Sequence, residues 1–451
     1  MERTLIKNLN LHIGKEVSIS GSIQTRRDHG KLIFLDLRDR SGSTQAIVLP
    51  SHAQALEVAQ TLRDEWVVRI EGVVHERPEK MRTEGENGGI ELEVQDIFIY
   101  AQAAELPFES SADINIDTYL DYLPLTLRRE KSRAIFTIQS EVVKAFRLFL
   151  DSEDFIEFQS PKLIGDDAEG GANVFTVPYF KEVTAHLGTS PQLYKQIMVG
   201  IFERVYAVGT VFRAEKHATT RHLNEYTSMD FEMGFIQDHK DIMEIETRLI
   251  KSIVEYLQHT SQKYFSFLGA TLPSVPDEIP FMKLREAQEL IFSQTGRDNR
   301  AEPDLEPQDE RWLCEWSLRE KGSDFIYITH YPVEKRPMYT FEDSEDPGYT
   351  KSFDLLFRGV EISTGGQRLH TYESIVNGIR KKGLDPDMFS FYLQAFKYGM
   401  PPHGGVGIGL ERLTQKLLGL DTIKEAATFP RDINRIDILL HDTRTKHREQ
   451  S

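Results

Sequence analysis

The stretch that decides the fold of this 451-residue chain consists of two apolar segments and the loop between them, Lys216 to Glu225. The segments are Val205-Tyr-Ala-Val-Gly-Thr-Val-Phe-Arg-Ala-Glu215 and Tyr226-Thr-Ser-Met-Asp-Phe-Glu-Met-Gly-Phe235. Successive side chains of a strand point to opposite faces, so Arg213 and Glu215 share one face, as do Asp230 and Glu232 on the return strand. This alternation predicts a platform for a charged ligand, although charged cross-strand pairs also occur in ordinary hairpins.

The composition limits the classes of protein to which the chain can belong. No apolar run reaches the length of a membrane span, and the first residues lack the apolar core of a signal peptide, so we expect a soluble cytoplasmic protein with no membrane partner. The single cysteine, Cys314, excludes an internal disulfide framework and a multi-cysteine zinc site. A net charge of -17 argues against broad, non-specific affinity for nucleic acid but leaves room for a local basic face.

The first hundred residues have the pattern of a small barrel. Five strand-like segments lie between residues 17 and 102, with one helical segment, 51 to 62, after the third. This is the layout of an OB-fold, whose exposed sheet face binds oligonucleotides. Alternation brings Phe34 to that face, and we expect Arg26 and Gln45 beside it, which would give unpaired bases a stacking surface with hydrogen-bond donors. The alternative is that Phe34 belongs to the barrel core.

The remainder of the chain predicts a larger α+β domain. We expect the OB-fold at residues 1–104, a linker at 105–130 and a second domain at 131–451, with a less regular insertion at about 265–335. A helix with apolar periodicity precedes a strand that ends at Pro161. Near the other end, the glycine-rich strand His403-Gly-Gly-Val-Gly-Ile-Gly-Leu-Glu-Arg412 leads into a helix.

These three separated signals resemble motifs 1, 2 and 3 of the class II aminoacyl-tRNA synthetases. The resemblance implies a catalytic domain built on an antiparallel sheet flanked by helices, behind an N-terminal OB-fold β-barrel that binds the anticodon. The N-terminal barrel is similar to that of the aspartyl, asparaginyl and lysyl subgroup. The short interval between motifs 2 and 3 resembles the archaeal and eukaryotic type of aspartyl enzyme, because the common bacterial form carries a large insertion there.

The resemblance implies a site for ATP, in which aspartate is activated as its adenylate. Arg213 would contact the α-phosphate and the substrate carboxylate, Glu215 would meet the adenine end, and Tyr226 and Arg412 would enclose the base. Catalysis would therefore rest on Arg213, Glu215 and Arg412. Adenylate formation accumulates negative charge on phosphate, and fixed cations stabilise that charge.

The outer phosphates and the metal involve a further set of residues. By the same resemblance, Arg221 and His222 would reach the outer phosphates of ATP. Asp354 and Glu361 would hold Mg²⁺, which prefers hard oxygen ligands, and Glu361 would also contact the nucleotide.

Amino-acid specificity is expected to depend on two cations. Residues matching Lys195 and Arg368 grip the side-chain carboxylate of aspartate in the aspartyl enzymes, and Asp230 would hold the lysine in place. A pocket with two cations contradicts lysine as the substrate and disfavours neutral asparagine. Further residues would fix the substrate ammonium and the pocket wall: Glu169, Gln192 and Ser363.

The partners implied are L-aspartate, ATP, tRNA(Asp) and a second copy of the chain in a homodimer with motif 1 at its centre. Phe34 would stack on the central anticodon base, which aspartate and asparagine tRNAs share, so tRNA(Asn) stays open as a second substrate, with a link to an amidotransferase if it is used. The residues that decide this lie around Gln24 and between Arg77 and Gly89. The alternatives are an asparagine-tRNA ligase, a catalytically silent RNA-binding paralogue and an ammonia-using amino-acid ligase on a related core.

Overall fold

A computed structural model describes residues 1–83, 87–109, 111–165, 173–216 and 219–438. The chain divides into two compact units, Met1–Asn115 and Ile116–Ser451. The division falls within the segment that we expected to be a linker, and that segment contains two short helices at the start of the second unit. None of the helices in the described ranges has the length and apolar content needed to cross a membrane.

The first unit is a closed barrel with strand order β1-β2-β3-β5-β4. Its elements are β1 (Glu16–Asp28), β2 (Ile33–Arg38), β3 (Ser43–Val48), α1 (Ala53–Thr61), β4 (Val67–Glu76) and β5 (Ile90–Ala101). Strict alternation builds it: in β2, Ile33, Leu35 and Leu37 are buried, while Phe34 and the other intervening residues are half-buried. The expected five strands and one helix of an OB-fold are confirmed, and Phe34 lies outside the barrel core.

The second unit is built around an eight-stranded sheet with order β12-β13-β14-β15-β16-β11-β10-β6. The strands of the second unit are β6 (Ile156–Glu157), β7 (Leu163–Ile164), β8 (Thr176–Pro178), β9 (Thr184–Leu187), β10 (Arg204–Phe212), β11 (Glu225–Gly234), β12 (Phe281–Lys283), β13 (Phe325–Thr329), β14 (Ser352–Phe357), β15 (Val360–Gln367) and β16 (His403–Gly409). Strands β7, β9 and β8 form a separate small sheet. The large sheet is mixed: its interior is antiparallel, as expected, but β6 and β12 at its two ends run parallel to their neighbours.

Helices pack on both faces of the large sheet. They are α2 (Ile116–Asp121), α3 (Leu123–Thr126), α4 (Glu130–Ser152), α5 (Gln192–Phe202), α6 (His239–Thr260), α7 (Gln262–Leu268), α8 (Leu284–Thr295), α9 (Pro307–Lys321), α10 (Tyr372–Lys381), α11 (Ser390–Lys397) and α12 (Leu410–Leu418). Apolar residues of α4, α6 and α12 join Met229, Phe231 and Met233 of β11 in one core. The alternate residues of β11, Asp230 and Glu232, therefore point to the opposite face, where the helices leave a cleft.

The insertion at 265–335 contains α8, α9, β12 and β13. Leu284, Ala287 and Ile291 of α8 are buried at helical spacing against Leu313 of α9. Both helices end at a glycine with positive φ, so the segment follows ordinary helix rules. The insertion forms the end of the large sheet beside the cleft.

Candidate active site and nucleic-acid interface

A cleft with a cavity volume of about 350 Å³ lies on the face of the large sheet opposite to α4, α6 and α12. Almost every residue that we expected in the catalytic site of the second domain lines it: Gln192, Lys195, Arg213, Glu215, Arg221, His222, Tyr226, Asp230, Glu361, Ser363, Arg368 and Arg412. Of the two others, Asp354 lies outside the lining, and Glu169 lies outside the described residues. The strands, the loop after β10 and the start of α12 thus bring residues from distant parts of the sequence into one cleft.

The deep end of the cleft is a buried cluster of two cations and two carboxylates. The ammonium of Lys195, 1% exposed, donates to Asp230 at 2.9 Å and lies 3.3 Å from Glu232. The Nε of Arg368 donates to Glu232 at 2.9 Å, and another of its nitrogens donates to the carbonyl oxygen of Gly405 at 2.9 Å. Burial works to raise the pKa of Glu232, but Arg368 and Lys195 hold that pKa below its ordinary value. We refer to Lys195, Asp230, Glu232 and Arg368 as the charge quartet.

The quartet fits into the sheet because β16 has glycines beside it. A Cβ atom at Gly405 would lie 2.2 Å from a carboxylate oxygen of Glu232, and one at Gly407 would lie 3.0 Å from an oxygen of Asp230. Gln192 offers a further polar group at this end, because its amide nitrogen is buried and has no hydrogen-bond partner among the described residues. A ligand with an acceptor oxygen would satisfy that nitrogen.

Ser363 lines the cleft, but its side chain points away from it. Its hydroxyl donates to Glu246 of α6 at 2.5 Å, on the face of the sheet that α6 covers. A bulge near Leu355 places Ile362 as an extra residue in β15, so Ser363 pairs with Ile408, a core residue. Glu361 still faces the cleft because it precedes the bulge.

The shallow end of the cleft carries the residues expected at the nucleotide. Arg213 follows β10, with its guanidinium carbon 5.8 Å from the ring centroid of Tyr226 and a terminal nitrogen 3.9 Å from Glu215. Asn224 donates to the backbone oxygens of Arg213 and Glu215, at 2.7 and 3.0 Å, and so fixes the chain on both sides of the loop. Arg412, on α12, donates to the carbonyl oxygen of Glu361 at 3.1 Å.

The loop residues Arg221 and His222 line the same end. The guanidinium of Arg221 donates to Glu310 in the first turn of α9. The Nδ1 atom of His222 lies 2.6 Å from the hydroxyl of Thr219, and its Nε2 lies 3.6 Å from Glu215. Burial raises the pKa of Glu310 to about 7, although Arg221 opposes that shift.

Two carboxylates on neighbouring strands form the candidate metal site. Asp354 of β14 is opposite Thr364 of β15, and the Thr364 hydroxyl donates to Glu361 at 2.8 Å. One oxygen of Asp354 accepts from Arg336 at 2.8 Å, while the other is buried without a hydrogen-bond partner among the described residues. Burial raises the pKa of Asp354 to about 6 against the effect of Arg336, and Glu361 adds to the rise. An orphaned carboxylate oxygen near a second carboxylate suits a hard cation such as Mg²⁺.

Several residues of the cleft were not predicted as site residues. Glu232 was visible in the alternation of β11, yet we did not assign it to the pocket. Glu411 accepts from the backbone nitrogen of Thr227 with both oxygens, at 3.0 Å each, and so joins α12 to β11. Arg336, directly after the insertion, lines the cleft, and Glu310 of the insertion pairs with Arg221; no motif singles out either residue. Their positions depend on the three-dimensional packing of the insertion.

The first unit has a separate cavity of about 610 Å³ on the outer face of its barrel. Phe34 and Gln45 line it, and Arg77 donates to the side-chain oxygen of Gln45 at 2.8 Å. The ring of Phe34 meets His29 edge to face, with centroids 5.5 Å apart. The residues that we expected to distinguish tRNAs lie in the same lining: Gln24, Arg77, Thr83, Asn87 and Gly88. Residues 84–86 lie outside the described ranges.

Arg26 is not where we expected it. In the strand register, Arg27 is directly opposite Phe34, whereas Arg26 is opposite Leu35, which is buried in the barrel. A register shift between Ile23 and Thr25 changes the alternation of β1, and counting by twos from the sequence misses it. The cation on the face of Phe34 is therefore Arg27, which also forms an ion pair with Asp36 at 2.8 Å.

Comparisons with protein families match both units. Residues 115–433 match the model for "tRNA synthetases class II (D, K and N)", and residues 17–100 match that for the OB-fold nucleic acid binding domain. The OB-fold match agrees with the barrel of the first unit. The synthetase match includes every residue that lines the cleft.

Individual relatives cover almost the whole chain. An aspartate-tRNA(Asp/Asn) ligase of Thermus thermophilus is 44% identical over 442 residues, which are 96% of this chain and 99% of the relative. An aspartate-tRNA(Asp) ligase of Pyrococcus abyssi is 37% identical over 430 residues, covering 94% of this chain and 96% of the relative. A crystal structure of asparaginyl-tRNA synthetase from Pyrococcus horikoshii with asparaginyl-adenylate is 30% identical, with a TM-score of 0.89 over 97% of this chain and 99% of that chain.

Proposed function

Because the chain belongs to the class II aminoacyl-tRNA synthetases of the aspartate, lysine and asparagine group, we propose that its cleft activates L-aspartate with ATP and passes it to tRNA. In the first step, a carboxylate oxygen of aspartate attacks the α-phosphorus, and pyrophosphate leaves. In the second, a hydroxyl at the 3′ end of the tRNA attacks the acyl carbon and AMP leaves. The reaction is that of an aspartate-tRNA ligase, in agreement with relatives at 37% and 44% identity.

The observation that carries this proposal is the charge quartet beside Arg213 in one cleft. Lys195 and Arg368 would bind the side-chain carboxylate of aspartate, while Asp230 and Glu232 hold the two cations in place. The orphaned amide nitrogen of Gln192 would donate to the same substrate. Such buried, preorganised donors bind a carboxylate without the cost of ordering them first.

Arg213 is the residue that would stabilise the transition state. Its guanidinium is partly exposed to the cleft and is already oriented by the stack on Tyr226. Charge develops on the α-phosphate as the bond to pyrophosphate breaks, and a fixed cation there lowers the barrier by about 3 kcal/mol. No general base is needed, because the attacking carboxylate is ionised at neutral pH. Tyr226 and Arg412 would enclose the adenine, with Glu215 at its edge.

Glu361 and the orphaned oxygen of Asp354 would hold Mg²⁺. When bound, the cation neutralises charge on the phosphates of the nucleotide. Hydrogen bonds from the protein orient both carboxylates. Thr364 orients Glu361, and Arg336 fixes the remaining oxygen of Asp354.

The range of tRNA substrates is a separate proposal. We infer that the chain charges tRNA(Asn) as well as tRNA(Asp), because the Thermus thermophilus relative is named for both tRNAs and has the higher identity of the two ligases. Phe34 would stack on the central anticodon base, with Gln45 held by Arg77 beside it. Aspartate placed on tRNA(Asn) would require a partner amidotransferase in the cell.

The decisive experiment charges purified tRNA(Asp) and tRNA(Asn) with labelled aspartate, and with labelled asparagine in parallel. Aspartate on both tRNAs is the expected result, and aspartate on tRNA(Asp) alone would limit the proposal to one tRNA. Asparagine is the competing substrate, since the quartet as folded carries two positive and two negative groups and has no net charge. Charging with asparagine and not aspartate would overturn the assignment of Lys195.

A homodimer in the cytoplasm completes the proposal. Strand β6 is one of the two end strands of the large sheet, and Ile156 within it is 44% exposed. Leu148 on α4 is 50% exposed. An end strand with exposed apolar side chains suits a partner copy across it, since such edges are otherwise liable to aggregate.

A further inference from the structure

The contact between Arg221 and Glu310 joins the loop after β10 to the insertion. Glu310 stands in the first turn of α9, with 13% of its side chain exposed, and its carboxylate accepts from a terminal nitrogen of Arg221. Arg221 lies on a loop without regular secondary structure between residues 213 and 224 in the described part. A backbone hydrogen bond also holds the tip of this loop, from the nitrogen of Ile423 to the oxygen of Thr220 at 3.0 Å.

This contact does not withdraw Arg221 from the cleft, because Arg221 is among the residues that line it. A guanidinium has five N–H donors in a rigid fork, so one terminal nitrogen can bond a carboxylate while the others face a phosphate. Holding the side chain in advance removes the entropy cost of ordering a long side chain on a loop when the ligand binds.

The charges around Glu310 agree with that arrangement. Besides Arg221, Arg412 favours its charged form and Glu361 disfavours it, and both of these residues line the cleft. Lys416 of α12 faces the same group. Glu310 itself is absent from the cleft lining, so it stands behind Arg221 and not in front of it.

We propose that Glu310 is a positioning residue, which holds Arg221 ready to bind the outer phosphates of ATP. This inference rests on the proposed function of Arg221 and adds the insertion helix α9 to the nucleotide site. Glu310 does not contact the substrate in this arrangement, so its effect is on the binding of ATP and not on the binding of aspartate.

The test compares Michaelis constants for ATP and for aspartate in ATP–pyrophosphate exchange. Glu310→Ala should raise the KM for ATP about fivefold and leave the KM for aspartate unchanged, in line with the cost of ordering one long side chain. Glu310→Gln keeps an acceptor oxygen and should restore most of the affinity for ATP. In the Arg221→Ala background, Glu310→Ala should add no further loss. Glu315→Ala is the matched control, because Glu315 is exposed on the same helix.

The outcomes separate this inference from the proposed function. A raised KM for ATP in Arg221→Ala but not in Glu310→Ala overturns the role of Glu310 and leaves that of Arg221 intact. A lowered KM for ATP in Glu310→Ala also overturns it, because Glu310 would then compete with ATP for Arg221. An unchanged KM for ATP in Arg221→Ala would show that Arg221 does not bind the phosphates. That result would contradict both the role of Glu310 and the proposed role of Arg221. If Glu310→Ala does not fold, Glu310→Asp, which draws the carboxylate back by one methylene, should raise the KM for ATP in the same direction, and an unchanged value would contradict the proposal.

Discussion

Lys195 is expected both to bind aspartate and to stabilise the fold, and one substitution should weaken both. Lys195→Met should reduce activation of aspartate by at least about 100-fold, because truncating one member of a buried charge pair costs about 3 kcal/mol. It should also lower the free energy of unfolding by about 3 kcal/mol, since Asp230 would lose its ammonium partner in a buried site and Glu232 would keep only Arg368. ATP–pyrophosphate exchange and urea unfolding measure the two effects.

The control for that substitution is Lys397→Met, at an exposed lysine on α11. The affinity for ATP, measured by calorimetry, should be unchanged in both variants. Full aspartate activation in Lys195→Met would show that the quartet is structural only.

His403 makes the stability of the second unit depend on pH. Its ring is fully buried, with Nδ1 donating to the carbonyl oxygen of Pro401 at 2.8 Å and Nε2 accepting from Gln196 at 2.9 Å. Burial lowers the pKa of His403 to about 4. An unfolded histidine has a pKa of about 6.5, so between these values the unfolded chain binds a proton that the folded chain does not. Stability is therefore present above pH 6.5 and is lost as the pH falls toward 4.

The expected loss over that range is about 3 kcal/mol of unfolding free energy from this one residue. His403→Gln removes the titration and should flatten the pH dependence between 6.5 and 4, as measured by urea unfolding at stepped pH. His259→Gln, at an exposed histidine of α6, should leave the slope unchanged. Equal slopes in the wild type and His403→Gln would contradict the assignment.

At the scale of single elements, a substitution in strand β2 tests whether the barrel binds tRNA. Phe34→Ala should weaken the binding of tRNA by about 1 to 3 kcal/mol, the value of stacking one base on an aromatic ring. Because the cleft is formed by the second unit, ATP–pyrophosphate exchange without tRNA should not change. Filter binding of tRNA(Asp) measures the first quantity.

Phe98 provides the matched control, since it is an aromatic residue of β5 in the same barrel and is 50% exposed. Phe98→Ala should retain the affinity for tRNA. Equal losses in the two variants would mean that general stability of the barrel, and not the face of Phe34, governs tRNA binding.

Single elements also show which features of the fold can be predicted from the sequence. The bounds of α9, Pro307–Lys321, can be read from the sequence, because a proline in its first turn and a glycine after its last turn fix both ends. The side-chain directions of Arg26 and Ser363 could not be read from alternation along the sequence. Each residue follows a register irregularity, and an added residue reverses the alternation of every side chain that follows it.

For the molecule as a whole, motifs were sufficient to predict most of the cleft. Arg213 and Arg412 belong to the second and third motifs, and they line the same cleft as Glu361 of β15. Glu310 and Arg336 could not be found in this way, because their positions depend on how the insertion packs against the end of the sheet. The same applies to the pairing of Arg77 with Gln45, which links two segments 32 residues apart.

The oligomeric state is the prediction that belongs to this scale. Ile156→Arg places a charge on the exposed edge strand β6 and should convert a dimer to a monomer, because a buried arginine without a partner is costly. Light scattering coupled to gel filtration at micromolar concentration should give half the mass of the wild type. Phe267→Arg, at an exposed position of α7, should leave the mass unchanged. A monomeric wild type would contradict the homodimer directly.

The glycines of β16 also restrict how this cleft can evolve or be redesigned. Gly405 and Gly407 leave the space that Glu232 and Asp230 occupy, so a side chain at either position would displace a carboxylate and leave a cation unpaired. A mutational library that varies only these two positions, one at a time, would therefore yield mostly misfolded variants. New amino-acid specificities should be accessible only through coordinated changes, in which a residue of β16 and its charged neighbour on β11 are replaced together.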